Sequence, residues 1–267
     1  MALLIRNGLL MTMTGDGEVR GDLLIQNGVI ERIGDRISLP DSPDACILAA
    51  EGLVIIPGMI DMSINDDAYP SEYLARSAAS AGITTILVRD SCGNLTLVSG
   101  DDVQALPASA RMLSVTSMDD IRRIATSSAG RNERPILTGL TGELSCTEAI
   151  AESGCPVVLS AHHGECPWEL AAVLDSLGVP VAVASGYPRF GMRLLPIYAG
   201  LCHRAGMPRN QALCTITATP ADLLGLADRG RIKAGYRGDL AIFDGDPLLL
   251  STAHVMTILN GRIVRSA

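Results

Sequence analysis

The stretch Glu51-Gly-Leu-Val-Ile-Ile-Pro-Gly-Met-Ile-Asp-Met-Ser-Ile-Asn65 constrains the fold of this chain most. Leu53 to Ile56 is a short apolar, β-branched run, Pro57-Gly58 interrupts it, and Met59 to Ile64 resumes it. A strand, a corner and a second strand are therefore expected, with the corner handing the chain from one packed unit to another.

The segments on either side differ in kind. Residues 1–56 read as apolar strand runs with Asn7-Gly8 and Asn27-Gly28 between them, a strong hairpin signal at both sites. The same grammar returns at the other end, in "GDLAIFDGDP" and in "VMTILNGRIVRSA" around Asn260-Gly261. The two ends are expected to pair into one small β-sandwich domain, 1–56 plus 229–267, with 57–228 inserted. The insert alternates strands and helices. Strands are expected at 59–64, 83–90, 109–115, 134–140, 155–163 and 179–186. Helices are expected at 69–81, 119–129, 146–153, 167–177, 194–205, 209–217 and from Pro220, with Gly82, Gly154 and Gly178 as stops. Repeated strand–helix units imply parallel strands. The fold class expected is α/β, with a parallel sheet or barrel; since a full eight-stranded (β/α) barrel takes about 250 residues, a barrel here is an abbreviated TIM-like (β/α) barrel or has short strands beyond these six.

Composition narrows the partners. Hydrophobic residues make up 48% and charged residues 19%, which suits a packed globular chain. The net charge is −8 and no basic run stands out, so nucleic acid is not an expected partner. No window is long and apolar enough to span a membrane, and Arg6 and Asn7-Gly8 come too early for a signal peptide, so a cytoplasmic protein is expected. The seven cysteines, at 46, 92, 146, 155, 166, 202 and 214, are dispersed without a Cys-x-x-Cys pair and read as reduced, mostly buried thiols. A small-molecule ligand or substrate, and further copies of this chain, are the partners left open.

The wording "GLVIIPGMIDM", the unit "SEYLARSAASAGITTILVRDS" and above all "TATPADLLGLADRGRIKAGYRGDLAIFDGDP" (217–247) resemble the amidohydrolase superfamily, which includes dihydroorotase-like members, and the middle wording "ILTGL…AIAESGCPVVLSAHHGE…AAVLDSLGVPVAVASG" is most similar to its imidazolonepropionase-like members. The resemblance implies a (β/α) barrel between the halves of a β domain. It also implies metal-assisted hydrolysis of carbon–nitrogen bonds such as cyclic amides, in which a divalent metal activates water. Family ligands are a His-x-His on the first barrel strand, often a carboxylated lysine, histidines on the fifth and sixth strands, and an aspartate on the last.

Position by position, most of that set is missing. The His-x-His positions read Ser63 and Asn65, which are poor zinc ligands. The single lysine, Lys233, lies outside the barrel segment, so no bridging lysine is present. The position of the last-strand aspartate falls at Gly186. What remains is His162, His163 and Glu165 at the end of "CPVVLSAHH", a candidate site for a single divalent metal such as zinc, with His162 and Asp90 as candidate catalytic groups. The competing reading is a pair of loop-edge histidines with no metal. Asp61 reads as a strand-end hydrogen-bond acceptor, and His203 and His254 as structural. Two functions stay open: a carbon–nitrogen hydrolase degenerate at its metal site, and a non-catalytic paralogue that acts as a binding or assembly partner.

Overall fold

In the computed structural model, residues 1–41, 43–64, 69–90, 94–100, 102–105, 112–115, 117–128, 134–140, 146–161 and 168–264 are described. The N-terminal strands are β1 (Ala2–Met11), β2 (Glu18–Gln26), β3 (Val29–Gly34), β4 (Ala45–Ala49) and β5 (Val54–Pro57). Then come β6 (Met59–Ile64), α1 (Ser71–Ala79), β7 (Ile83–Arg89), β8 (Leu95–Ser99), β9 (Asp102–Ala105) and β10 (Met112–Ser114). They are followed by α2 (Met118–Ser128), β11 (Ile136–Thr138), α3 (Thr147–Ser153), β12 (Val157–Ser160), α4 (Trp168–Ser176) and β13 (Val181–Ala184). The chain ends with α5 (Leu195–Arg204), α6 (Arg209–Cys214), α7 (Ala218–Leu223), β14 (Leu240–Phe243), β15 (His254–Leu259) and β16 (Arg262–Val264).

Strands from both ends of the chain form one sheet, in the order β16-β15-β14-β5-β1-β2-β3, with β4 also on β1. Where a two-sheet sandwich is expected, hydrogen bonding thus joins all eight strands. The segment 235–238 links the two edges: Gly238 N donates to Gly28 O (2.7 Å) and Gly261 N to Gly238 O (3.1 Å). The sheet encloses a core of its own, including Leu3, Ile25, Ile55, Leu240, Ile242 and Ile258.

The hairpin signals split. Asn27-Gly28 and Asn260-Gly261 are two-residue turns with both residues at positive φ, the geometry that matches strand twist. Asn7-Gly8 is not a hairpin. β1 runs straight through it, pairing with β2 on both sides across a register shift. Asn7 sits at φ 57°, and its N–H donates to the buried Asp22 carboxylate (3.1 Å), which also accepts from Ile37 N (3.0 Å). A side-chain partner fifteen residues away has turned a local turn signal into a bulge.

The inserted segment contains six parallel strands in two sheets, as the spacing predicts. β10-β11-β12-β13 are parallel throughout, and β6 pairs parallel with β7. β13 meets β6 through an Ile64–Tyr187 bridge. One connection departs from the expected pattern. In place of a helix, β7 is followed by the antiparallel β8–β9 hairpin, with Ser99 opposite Asp102. Its signal, two alternating apolar runs around Gly100-Asp101, is legible in "LTLVSGDDVQA".

Strand alternation sorts side chains between cores. Val157 and Leu159 join the large core against the helices, whereas Met62, Ile136, Val158, Ala182 and Ala184 cluster between the two parallel sheets. Among the described cysteines none forms a disulfide, and Cys146, Cys155 and Cys202 are buried. Burial pushes the Cys214 thiol up to about 11, which keeps it protonated and unreactive near neutral pH.

Gly58 fixes the crossing. Its N–H donates to Asp239 O (2.7 Å), and a Cβ there would lie 2.2 Å from Thr84 Oγ1. Gly58→Ala is therefore expected to cost about 1–3 kcal/mol through overpacking, read as a lower urea midpoint at unchanged m-value. A variant as stable as the parent would refute the close contact.

Candidate functional site

Six parallel strands carry their C-terminal ends to one rim, the end at which parallel α/β folds present their chemistry. At these ends stand Ser63, the last but one residue of β6, Arg89 on β7, Ser114 on β10, Thr138 on β11, Ser160 on β12, and Ser185-Gly186 just beyond β13. Five of these, Ser63, Arg89, Ser114, Thr138 and Ser160, line a cavity of about 140 Å³ above the inner apolar cluster. The shift in β6–β7 register between Asp61 and Ile64 accompanies exposure of two consecutive residues, Met62 and Ser63, to this cavity. A larger groove of about 1080 Å³ lies elsewhere, between α1 and the Asn27-Gly28 and Asn260-Gly261 hairpins. Of its three lining arginines, Arg76 pairs with Glu72 and Arg237 with Asp228 and Asp102, and none of the residues at the parallel strands' C-terminal ends lines it. The rim cavity is the better candidate on chemical grounds.

Asp61 anchors the rim from beneath. Its side chain is fully buried, and Oδ1 accepts from Ser185 N (3.1 Å) and Ser63 N (3.3 Å), tying the first parallel strand to the end of the last. Oδ2 is buried without a hydrogen-bond partner. Loss of solvent raises the carboxyl pKa, and the hydrogen bonds from Ser185 and Ser63 only partly offset that. The expected role of Asp61 as a strand-end acceptor agrees with this placement.

The other sequence candidates fall as follows. Asp90 follows β7, and its carboxylate accepts from Asn94 N and Asn94 Nδ2 (both 2.7 Å), closing the β7–β8 connection. Gly186 lies in a turn at φ 75°, with its carbonyl accepting from Arg189 N (3.1 Å), and offers no side-chain ligand. Lys233 is exposed in the composite sheet's connection, its ammonium 5.8 Å from the Tyr236 ring centroid. His203 Nδ1 lies 2.8 Å from Met207 O at the end of α5. His254 packs edge-on against Phe243, and its Nε2 lies 3.0 Å from Thr257 Oγ1. Both histidines are structural, as expected. Asn65, His162, His163 and Glu165 lie outside the described residues.

Residues 186–265 match the sequence profile described as the amidohydrolase family. Amidohydrolase tasK of Hapsidospora irregularis is 31% identical over 127 residues, 40% of this chain and 13% of that protein. The dihydroorotase of Caldanaerobacter subterraneus is 34% identical over 92 residues, 32% of this chain and 20% of that protein. These partial matches support a relationship to the amidohydrolase superfamily. These matches span a fifth or less of the two curated relatives' own length. Solved structures share the fold over the whole chain. An amidohydrolase from Thermotoga maritima has a TM-score of 0.70 at 17% identity, covering 98% of this chain and 99% of that one. Molinate hydrolase has a TM-score of 0.71 at 14% identity, covering 99% and 94%.

Against that superfamily background the rim is chemically unusual. Among the described residues no group of three His, Cys, Asp or Glu side chains is placed to hold a metal ion. Hydroxyls and one guanidinium line the cavity, and neither suits zinc. The described donors therefore do not fit a two-metal centre. Reasoning from sequence passed over Arg89, Ser114, Thr138 and Ser160 because it searched for metal ligands. Each lies one to three residues inside the end of an expected strand, so no motif in the sequence singles it out.

Two substitutions separate the acceptor role of Asp61 from its charge. Asp61→Ala leaves buried Ser185 and Ser63 N–H groups without their acceptor and is expected to cost about 1–3 kcal/mol. Asp61→Asn keeps an acceptor oxygen. Because the folded pKa of Asp61 is raised, its contribution to stability is fully present below the unfolded carboxyl value and is lost as pH rises through the folded one. Asp61→Asn should accordingly gain stability relative to the parent as pH increases from 4 to 8, measured by urea unfolding. A parent–variant difference independent of pH would exclude this assignment.

Proposed function

We propose that this chain is a superfamily member whose rim has given up two-metal hydrolysis and binds a small molecule instead, as a non-catalytic binding or assembly component. The carrying observation is the run of strand ends, Ser63, Arg89, Ser114, Thr138 and Ser160, where metal hydrolysis needs imidazoles and carboxylates. The absence of any lysine besides Lys233 and the glycine at 186 point the same way. In this reading residues 57–228 form an abbreviated barrel that carries the rim. Residues 1–56 and 229–267 form the supporting β domain.

A second reading has a specific basis. Dihydroorotases recur among the curated relatives, and His162, His163 and Glu165 together could supply ligands for one divalent ion. The protein would then hydrolyse a carbon–nitrogen bond, such as that of a cyclic amide, with a single metal.

Metal content decides between them. Purified protein is expected to hold zinc, manganese and iron far below one equivalent and to show no turnover of a panel of cyclic amides and hydantoins. Its melting temperature should be the same after chelation and in His162→Ala. Stoichiometric metal that disappears in His162→Ala, together with amide hydrolysis, would overturn the binding reading in favour of the second.

A further inference from the structure

We infer that the rim cavity is a binding site for a short-chain carboxylate, with Arg89 as its charge partner. The inference names a ligand class for the site proposed above and rests on that reading of the rim.

Arg89 is half-buried at the end of β7. Its guanidinium donates one long hydrogen bond, Nη2 to Met112 O at 3.5 Å, and meets no carboxylate within ion-pair distance among the described residues. Arg76, Arg209, Arg231 and Arg237, also at least partly exposed, each hold an acidic partner. A guanidinium withdrawn from solvent without a counter-charge is costly, and its planar fork matches a carboxylate with two parallel hydrogen bonds.

The rest of the lining fits the same ligand. Among the described residues no acidic side chain lines the cavity. Asp61 lies buried beneath it, and the Asp90 carboxylate is turned to Asn94. Ser114 and Thr138 bring hydroxyls that can donate to a second oxygen, whereas Met62, Met112 and Val158 offer an apolar wall for an aliphatic tail. At about 30 Å³ per water in the liquid, a cavity of about 140 Å³ suits a molecule of a few heavy atoms. An inorganic oxyanion would use the arginine and hydroxyls but leave the apolar wall uncovered. Propionate or butyrate would use both.

The test is calorimetric titration of the full chain with propionate and butyrate at low ionic strength, alongside propionamide, phosphate and sulfate. Saturable binding of the acids is expected, with Kd about 0.1–10 mM for so few heavy atoms. The uncharged amide should bind at least tenfold more weakly. Arg89→Met should weaken acid binding at least tenfold, and Arg89→Lys should recover only part of the loss. Thr138→Val should weaken it severalfold with an unchanged melting temperature. Equal binding of acid and amide, undiminished binding in Arg89→Met, or tighter binding of sulfate or phosphate than of propionate would overturn the carboxylate assignment. If Arg89→Met fails to fold, the acid–amide pair and Thr138→Val decide. Metal content measured on the same preparation keeps the two proposals apart. A metal-free protein indifferent to propionate sinks this inference alone, whereas a metal-loaded amide hydrolase sinks the reading on which it rests.

Discussion

The structure depends on one short strand being buried on both faces. β5 lies between β1 and β14 in the composite sheet, and its alternate residues serve different interiors. Ile55 packs into the small core of that sheet, while Val54 and Ile56 pack into the large core shared with the helices. β14 repeats the division, with Leu240 and Ile242 facing one way and Ala241 and Phe243 the other. Each fully buried aliphatic side chain contributes about 1.5–3 kcal/mol. This pair of strands is therefore a common wall whose loss would open both cores. Pro57-Gly58 then passes the chain directly into β6, where Asp61 joins the first parallel strand to the segment after the last. The rim is positioned by a continuous covalent and hydrogen-bonded path from that wall.

Further contacts hold the composite sheet against the inserted segment. Arg229, almost fully buried, donates to Thr85 Oγ1 (3.1 Å), and Thr257 Oγ1 donates to Ala79 O (2.6 Å). Arg209 joins α6 to Asp246 and to Glu18 on β2. Such a scaffold keeps the strand ends in place whatever side chains they carry. Fold and chemistry are separable here: the architecture needs apolar alternation and tight corners, and the rim residues can change without disturbing either.

Much of the architecture was legible in the residues. The six parallel strands, the helices between β10 and β13 and the pairing of the two chain ends follow from apolar period and turn chemistry, which are local properties. The bulge at Asn7-Gly8 was not legible, because the partner that decides it, Asp22, is distant in sequence. The β8–β9 hairpin carried a readable Gly-Asp signal that the expectation of strand–helix alternation obscured. For the site, sequence alone compared Ser63, Asn65 and Gly186 with the ligand positions that the resemblance implies. It did not bring Arg89, Ser114, Thr138 and Ser160 together, since each is unremarkable in its own segment.

By itself, the sequence determined the mixed α/β class, the crossing at Pro57-Gly58 and the residue types at Ser63, Asn65 and Gly186, because each depends on residue type at one position or on spacing within one element. Tertiary structure decided that the terminal strands form a single hydrogen-bonded sheet and that an arginine without an acidic partner among the described residues shares a cavity with hydroxyls from four other strands. Those facts depend on which strands become neighbours. Strand neighbours are set by burial of the whole chain, which no local window contains.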